Sequence, residues 1–211
     1  MPAKIKICGI STPEALDATI AARADYAGLV FYPASPRAVT SNVAGALTSR
    51  AAGQIAMVGL FVDADDAVIA DALVAAKLNA LQLHGSERPN AWPSCARGLA
   101  SGVEGAARRQ RQRCRTRRSL CRGGGLDLVR RQDPKGALPG GMGLAFDWSA
   151  AGRISRCLAV GLAGGLNPTN VAEAIARTGA PLVDTSSGVE SAPGVKDTDK
   201  ITNFAFAVRL A

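Results

Sequence analysis

Gly161-Leu-Ala-Gly-Gly-Leu-Asn-Pro168 and Val183-Asp-Thr-Ser-Ser-Gly-Val-Glu190 are short apolar runs that stop abruptly in small residues. Backbone amides exposed at such a strand end can converge on an anion. Asn167-Pro168 reads as a helix cap followed by proline at the first helical position, opening a helix with Val171, Ala174 and Ile175 on one face. Two neighbouring strand ends with Gly/Ser loops, separated by one helix, suit the last two units of a (β/α)8 barrel, where the loops after strands 7 and 8 commonly hold a phosphate. Two ordinary tight βα turns are the plainer reading, and the occurrence of both loops at this spacing favours the phosphate.

Upstream, the same grammar repeats. Lys4-Ile-Lys-Ile-Cys8 is a strand ending at Gly9, and Ser11-Thr-Pro-Glu14 forms a capping box before a helix with Leu16, Ile20 and Ala24 inward. Tyr26 to Tyr32 is a second strand, a helix covers about 42–51, and Ala56 to Val62 is a third strand. Asp63 to Asp66 cap a third helix with Val68, Ile69, Ala72, Leu73 and Ala76 inward, and Ala80 to His84 is a fourth strand. Leu158 to Ala163 begins strand seven, Leu182 to Asp184 is strand eight, and Asp197 caps a last helix with Ile201, Phe204, Ala205 and Val208 inward. Continuously apolar strands alternating with helices predict a parallel sheet in one α/β domain over residues 1–211, a (β/α)8 barrel.

Between Pro89 and Asp133 the grammar fails. Residues 91–132 contain eleven arginines, no lysine, one Glu and one Asp, a local net of +9 against +8 for the whole chain. The remainder therefore sums to −1, which is ordinary for a soluble enzyme and argues against nucleic acid as the partner of the domain. The arginine tract has no interleaved aromatics for base stacking. Three of the five cysteines (Cys95, Cys114 and Cys121, beside Cys8 and Cys157) lie in this segment, without a metal-type CxxC pair. That implies a reduced compartment and no structural metal. No apolar run is long enough to span a bilayer, and the chain enters a strand directly, so a cytoplasmic location without membrane contact is expected.

The pieces Lys6-Ile-Cys-Gly-Ile, Ser35-Pro-Arg, Gly59-Leu-Phe-Val, Gln82-Leu-His-Gly-Ser-Glu, Gly140-Gly-Met-Gly with Phe146-Asp-Trp, and the two stretches quoted first occur in this order. Jointly they resemble the phosphoribosylanthranilate isomerase family. The resemblance implies a cofactor-free Amadori rearrangement of N-(5'-phosphoribosyl)anthranilate to 1-(2-carboxyphenylamino)-1-deoxyribulose 5-phosphate in tryptophan biosynthesis, by a monomer or homodimer. A general acid opens the ribose ring to a Schiff base, and a general base then removes the C2′ proton. Cys8 stands where the family keeps its base, a role that needs a populated thiolate. Arg37 resembles the residue that binds the anthranilate carboxylate, a task for a planar bidentate donor. Gln82 and His84 close strand four, with a structural role open for the histidine, and Asp184 would order the ribose hydroxyls. Gly141, Gly143, Gly164, Gly165, Ser187 and Gly188 would bring backbone amides to the substrate and its phosphate. Another phosphosugar barrel enzyme sharing the phosphate site is the rival within enzymes. An inactive or nucleic-acid-binding protein using the arginine tract is the rival outside them.

The chain departs from the family at the general acid, an aspartate inside a Phe/Leu-Asp-x-Lys stretch at the end of strand six. That place reads Val129-Arg-Arg-Gln-Asp133. One permitted coding, GTT CGA CGC CAA GAC, gives Phe-Asp-Ala-Lys when read one base later. Residues from about 90 to 132 are accordingly read as out of frame, with an authentic arginine-rich insertion as the alternative. On this reading strand five, helix five and strand six lack credible sequence, and Asp133 is the nearest surrogate for the acid.

Overall fold

A computed structural model describes residues 2–85, 127–130 and 160–211. Strands β1 (Lys4–Cys8), β2 (Tyr26–Val30), β3 (Ala56–Phe61), β4 (Ala80–Leu83), β5 (Asp127–Arg130), β6 (Val160–Ala163) and β7 (Leu182–Thr185) form one sheet in the order β4-β3-β2-β1-β7-β6-β5. All pairings in it are parallel. Apart from β4 and β5, which stand at the two ends of the described sheet, each strand lies beside its neighbour in sequence, and β7 returns to pair with β1, as in the cyclic order of a (β/α)8 barrel. Seven strands are thus described, and β5 takes the place of barrel strand six. The break expected in this region is narrower on its C-terminal side than the residue pattern implied. Leu126, Leu128 and Val129 form an apolar run too short to register as a period, yet four residues suffice to pair with Val160–Ala163.

Helices α1 (Pro13–Ala21), α2 (Ser41–Ala51), α3 (Asp66–Ala75), α4 (Val171–Thr178) and α5 (Thr198–Arg209) complete the described elements of the barrel. A hairpin of β8 (Glu190–Ala192) and β9 (Val195–Lys196) stands apart from the sheet. Alternation along the strands divides the buried residues into two layers. Ile5, Ile7, Leu29, Met57, Phe61, Leu81, Leu162 and Val183 pack in one large cluster with Leu16, Leu47, Ile69, Ala174 and Phe204 from the helices. The other strand faces fill the barrel with smaller clusters, Val58 and Ala80 in one, Cys8, Val30 and Leu60 in the next.

Three local readings change. The cap of α1 is Thr12 rather than Ser11, its hydroxyl accepting from Ala15 N at 3.2 Å, with Pro13 at the first helical position. Val68 is 46% exposed because it lies a position ahead of the Ile69, Ala72 and Ala76 stripe that faces the sheet. Asn167 does not cap α4, which starts only at Val171. Instead its side chain accepts from Thr169 N at 2.9 Å and holds an extra turn before the helix.

Candidate active site

The carboxyl ends of β1, β2, β4, β6 and β7 bring the expected residues to one mouth, as a barrel requires. Cys8 is the last residue of β1 and faces the interior, against Val30 and Leu60. A Cβ at Gly28, its register partner on β2, would lie 2.9 Å from Cys8 Sγ, so the absence of a side chain there makes room for the thiol.

Two residues before Cys8 and on the same strand face, Lys6 is fully buried and its Nζ donates to Asp184 Oδ2 at 2.9 Å. Burial alone would lower the Lys6 pKa, but the Asp184 and Cys8 side chains outweigh it and raise the value. Asp184 binds the lysine through one oxygen only; its Oδ1 is buried without a hydrogen bond among the described residues. Burial therefore pushes the Asp184 carboxyl up, with Lys6 pulling the other way. Gln82 Oε1 is likewise buried and unpartnered among the described residues. The Gln82 amide Nε2 lies 3.4 Å from Nδ1 of His84, which follows β4 and whose backbone donates to Phe61 O at 2.8 Å. Unpaired buried acceptors are costly, and hydroxyl or amine donors of a bound molecule would satisfy them.

The Ser35-Pro-Arg turn folds back so that Val39 N donates to Val30 O at 3.0 Å, which carries Arg37 over the mouth against Gly9. Arg37 is nearly buried and already has a carboxylate: Nε and Nη2 donate to Glu190 at 2.8 and 2.7 Å. No hydrogen bond of its Nη1 is found among the described residues, and that is the edge left for a ligand. Glu190 in turn accepts from Lys196, its register partner in the hairpin, at 2.6 Å. Burial would raise the Glu190 pKa, but Arg37 and Lys196 hold it below the ordinary range. Lys196 shows the reverse balance, burial lowering its pKa against the opposing influence of Glu190 and Cys8.

The proposed anion loops follow β6 and β7. Gly164 and Gly165 have φ of +99° and +68°, the left-handed region that favours glycine. Ser187–Val189 is a short 3-10 turn. The loops are joined where Thr185 Oγ1 donates to Leu166 O at 2.6 Å and where Gly188 passes so close that a Cβ would meet the same carbonyl at 1.8 Å. Asn170 Nδ2 donates to Gly165 O at 2.9 Å and fixes the first loop from behind. Gly141, Gly143 and Asp133 lie outside the described residues, as does most of the arginine-rich segment. Among the described residues no group of three or more His, Cys, Asp or Glu side chains could hold a metal ion. No helix there is long and apolar enough to cross a membrane.

Sequence reasoning passed over Lys6, Ser186, Glu190 and Lys196. Lys6 had a readable signal, a charge at the i−2 position of Cys8 inside an otherwise apolar strand. Lys196 had none, since only the hairpin brings it to the mouth.

Parallel strands with their polar groups at the carboxyl mouth, and glycine turns after the last two, define a (β/α)8 barrel protein. Within that class the chain belongs to the N-(5'-phosphoribosyl)anthranilate isomerase family, whose model matches residues 5–207. The N-(5'-phosphoribosyl)anthranilate isomerase of Paramagnetospirillum magneticum is 43% identical over 222 residues, covering 99% of this chain and 98% of its own. The crystal structure of phosphoribosyl anthranilate isomerase from Thermotoga maritima superposes with a TM-score of 0.81 at 31% identity, covering 99% of this chain and 100% of that one. A phosphoribosyl anthranilate isomerase in complex with reduced 1-(o-carboxyphenylamino)-1-deoxyribulose 5-phosphate matches at a TM-score of 0.77 and 30% identity, with 99% and 100% coverage.

Proposed function

We propose that this chain catalyses the Amadori rearrangement of N-(5'-phosphoribosyl)anthranilate to 1-(2-carboxyphenylamino)-1-deoxyribulose 5-phosphate, with Cys8 as the general base. The observation that carries this reading is the placing of Cys8: an interior thiol at the end of β1, two residues after the buried Lys6–Asp184 pair on the same strand face. The C2′ proton of the ring-opened Schiff base passes to Cys8, the electrons settle in an enolamine, and tautomerisation gives the ketone. Arg37, through Nη1, would bind the anthranilate carboxylate while Glu190 holds the guanidinium plane. Asp184 Oδ1 and Gln82 Oε1, buried and unpartnered among the described residues, would accept from ribose hydroxyls. The loops of Gly164, Gly165, Ser187 and Gly188 would receive the phosphate, and His84, Gly141 and Gly143 would line the rest of the substrate.

The ring-opening acid is the open part. In register, Arg130 of β5 lies beside Ala163, which lies beside Asp184, which lies beside Lys6. The shifted reading Phe-Asp-Ala-Lys puts its aspartate at about residue 130, in this same row at the strand's carboxyl end. This register supports reading residues from about 90 to 132 as out of frame, and Asp133 would be the nearest surrogate in the chain as written. The test is complementation of a tryptophan auxotroph lacking the isomerase, with the chain as written, the frame-restored chain, and the restored chain carrying Cys8→Ala. Growth with the restored chain and none with Cys8→Ala is expected, because losing a general base costs about 10²–10⁴-fold in rate. Growth with Cys8→Ala would remove the base assignment. Failure of the soluble restored chain would remove the isomerase reading in favour of another phosphosugar reaction, and growth as written would overturn the frame reading.

A further inference from the structure

The two loops after β6 and β7 turn their carbonyls toward donors that the protein itself supplies. Gly165 O accepts from Asn170 Nδ2 at 2.9 Å, and Leu166 O accepts from Thr185 Oγ1 at 2.6 Å. At the second loop Ser186 O accepts from Lys196 Nζ at 2.9 Å and Glu190 O from Lys200 Nζ at 2.7 Å. The amides are treated differently. No hydrogen bond from the backbone N–H of Gly165, Ser187 or Gly188 is found among the described residues. Loops whose carbonyls are taken and whose amides stay open present a positive rim, which suits an anion.

One of these bonds crosses from loop to loop. Thr185 closes β7, whereas Leu166 belongs to the loop after β6. A Cβ at Gly188 would lie 1.8 Å from Leu166 O and 2.9 Å from Thr185 Oγ1, so the second loop rests directly on that bond. Leu166 and Val189, both buried in the main cluster, anchor the loops on either side of it. Thr185 itself is placed away from the barrel interior. By strand alternation it stands opposite to Asp184, on the face of Val183 and level with its register partner Ile7, in the layer under the helices. An apolar side chain of similar shape would pack there, and only the hydroxyl can serve Leu166 O.

We propose that Thr185 is a positioning residue of the anion site, its hydroxyl locking the loops after β6 and β7 into one cradle, with Asn170 as the second tie behind the first loop. The inference rests on the reading of these loops as the phosphate receiver, and adds what holds the two half-sites in register.

The experiment titrates the full chain with ribose 5-phosphate by calorimetry, with ribose as the probe lacking phosphate, and follows thermal unfolding in parallel. Where the chain as written does not fold, the frame-restored chain carries the same titrations. Thr185→Val should weaken ribose 5-phosphate binding about tenfold, the equivalent of one hydrogen bond, and Thr185→Ser, which keeps the hydroxyl, should restore most of it. Asn170→Ala, which frees Gly165 O, should weaken binding in the same direction and serves where Thr185→Val does not fold. A folded Thr185→Val chain that melts earlier but binds ribose 5-phosphate as tightly as the unmodified chain would overturn the proposal and leave the phosphate reading standing. Unchanged binding in Asn170→Ala, where that is the variant that folds, would do the same. If the unmodified chain does not prefer ribose 5-phosphate to ribose, the phosphate reading falls and the proposal with it.

Discussion

Lys6 is the residue on which the interior of the barrel depends most. A lysine with no exposed surface is tolerable only because Asp184 lies 2.9 Å away. Removing one partner of such a pair leaves the other charge buried alone, at a cost of about 3–5 kcal/mol. We expect Lys6→Met to lower the unfolding free energy by that amount in urea titration; a loss below about 1 kcal/mol would mean that Asp184 finds another partner or water. Burial already favours the protonated carboxyl of Asp184, so Lys6→Met with Asp184→Asn should recover part of the loss.

Among the elements, α5 does the most to hold the site in place. Asp197 caps it, accepting from Lys200 N at 3.0 Å, and Ile201, Phe204, Ala205 and Val208 are all buried on one face. That stripe was readable at intervals of three and four residues, because α5 packs through a single face. Its cap, Asp197, directly follows Lys196, so the cap also anchors the hairpin. Phe204 is fully buried in the main cluster, and Phe204→Ala should cost about 3–5 kcal/mol by thermal or urea unfolding. Phe206, two residues on, is 61% exposed, and the same truncation there should cost well under 1 kcal/mol. Equal effects at the two positions would contradict the packing described.

For the whole molecule, the Arg37–Glu190–Lys196 network joins the β2 loop to the hairpin after β7 and so ties the mouth across β1. Its pH response follows from Glu190. The folded carboxyl is held below its ordinary range, so its contribution is complete above the usual glutamate value and is lost as pH falls through the lowered one. Asp184, pushed up by burial, works in the opposite sense. Comparison with Glu190→Gln isolates the first effect: the stability gap between the two chains should be largest near neutral pH and close as acid is added. A gap independent of pH would show that Glu190 contributes through shape alone.

By itself the sequence determined the parallel βα order, the inward faces of most helices, the two Gly/Ser loops, and Cys8, Arg37 and Asp184 at the mouth. These are local matters, set by residue periods, caps and strand ends that neighbours in the chain impose on one another. The same local logic let a four-residue strand at Asp127–Arg130 escape notice inside an arginine-rich segment, since so short a run has no period to read. Only the tertiary structure decided that Lys6 pairs with Asp184, 178 residues away, and that Arg37 meets Glu190 across 153. It alone revealed that Lys196 reaches Ser186 and Glu190 at the mouth. Charge pairs of this kind arise where barrel closure removes water and leaves each ion only those partners that other strands and turns deliver.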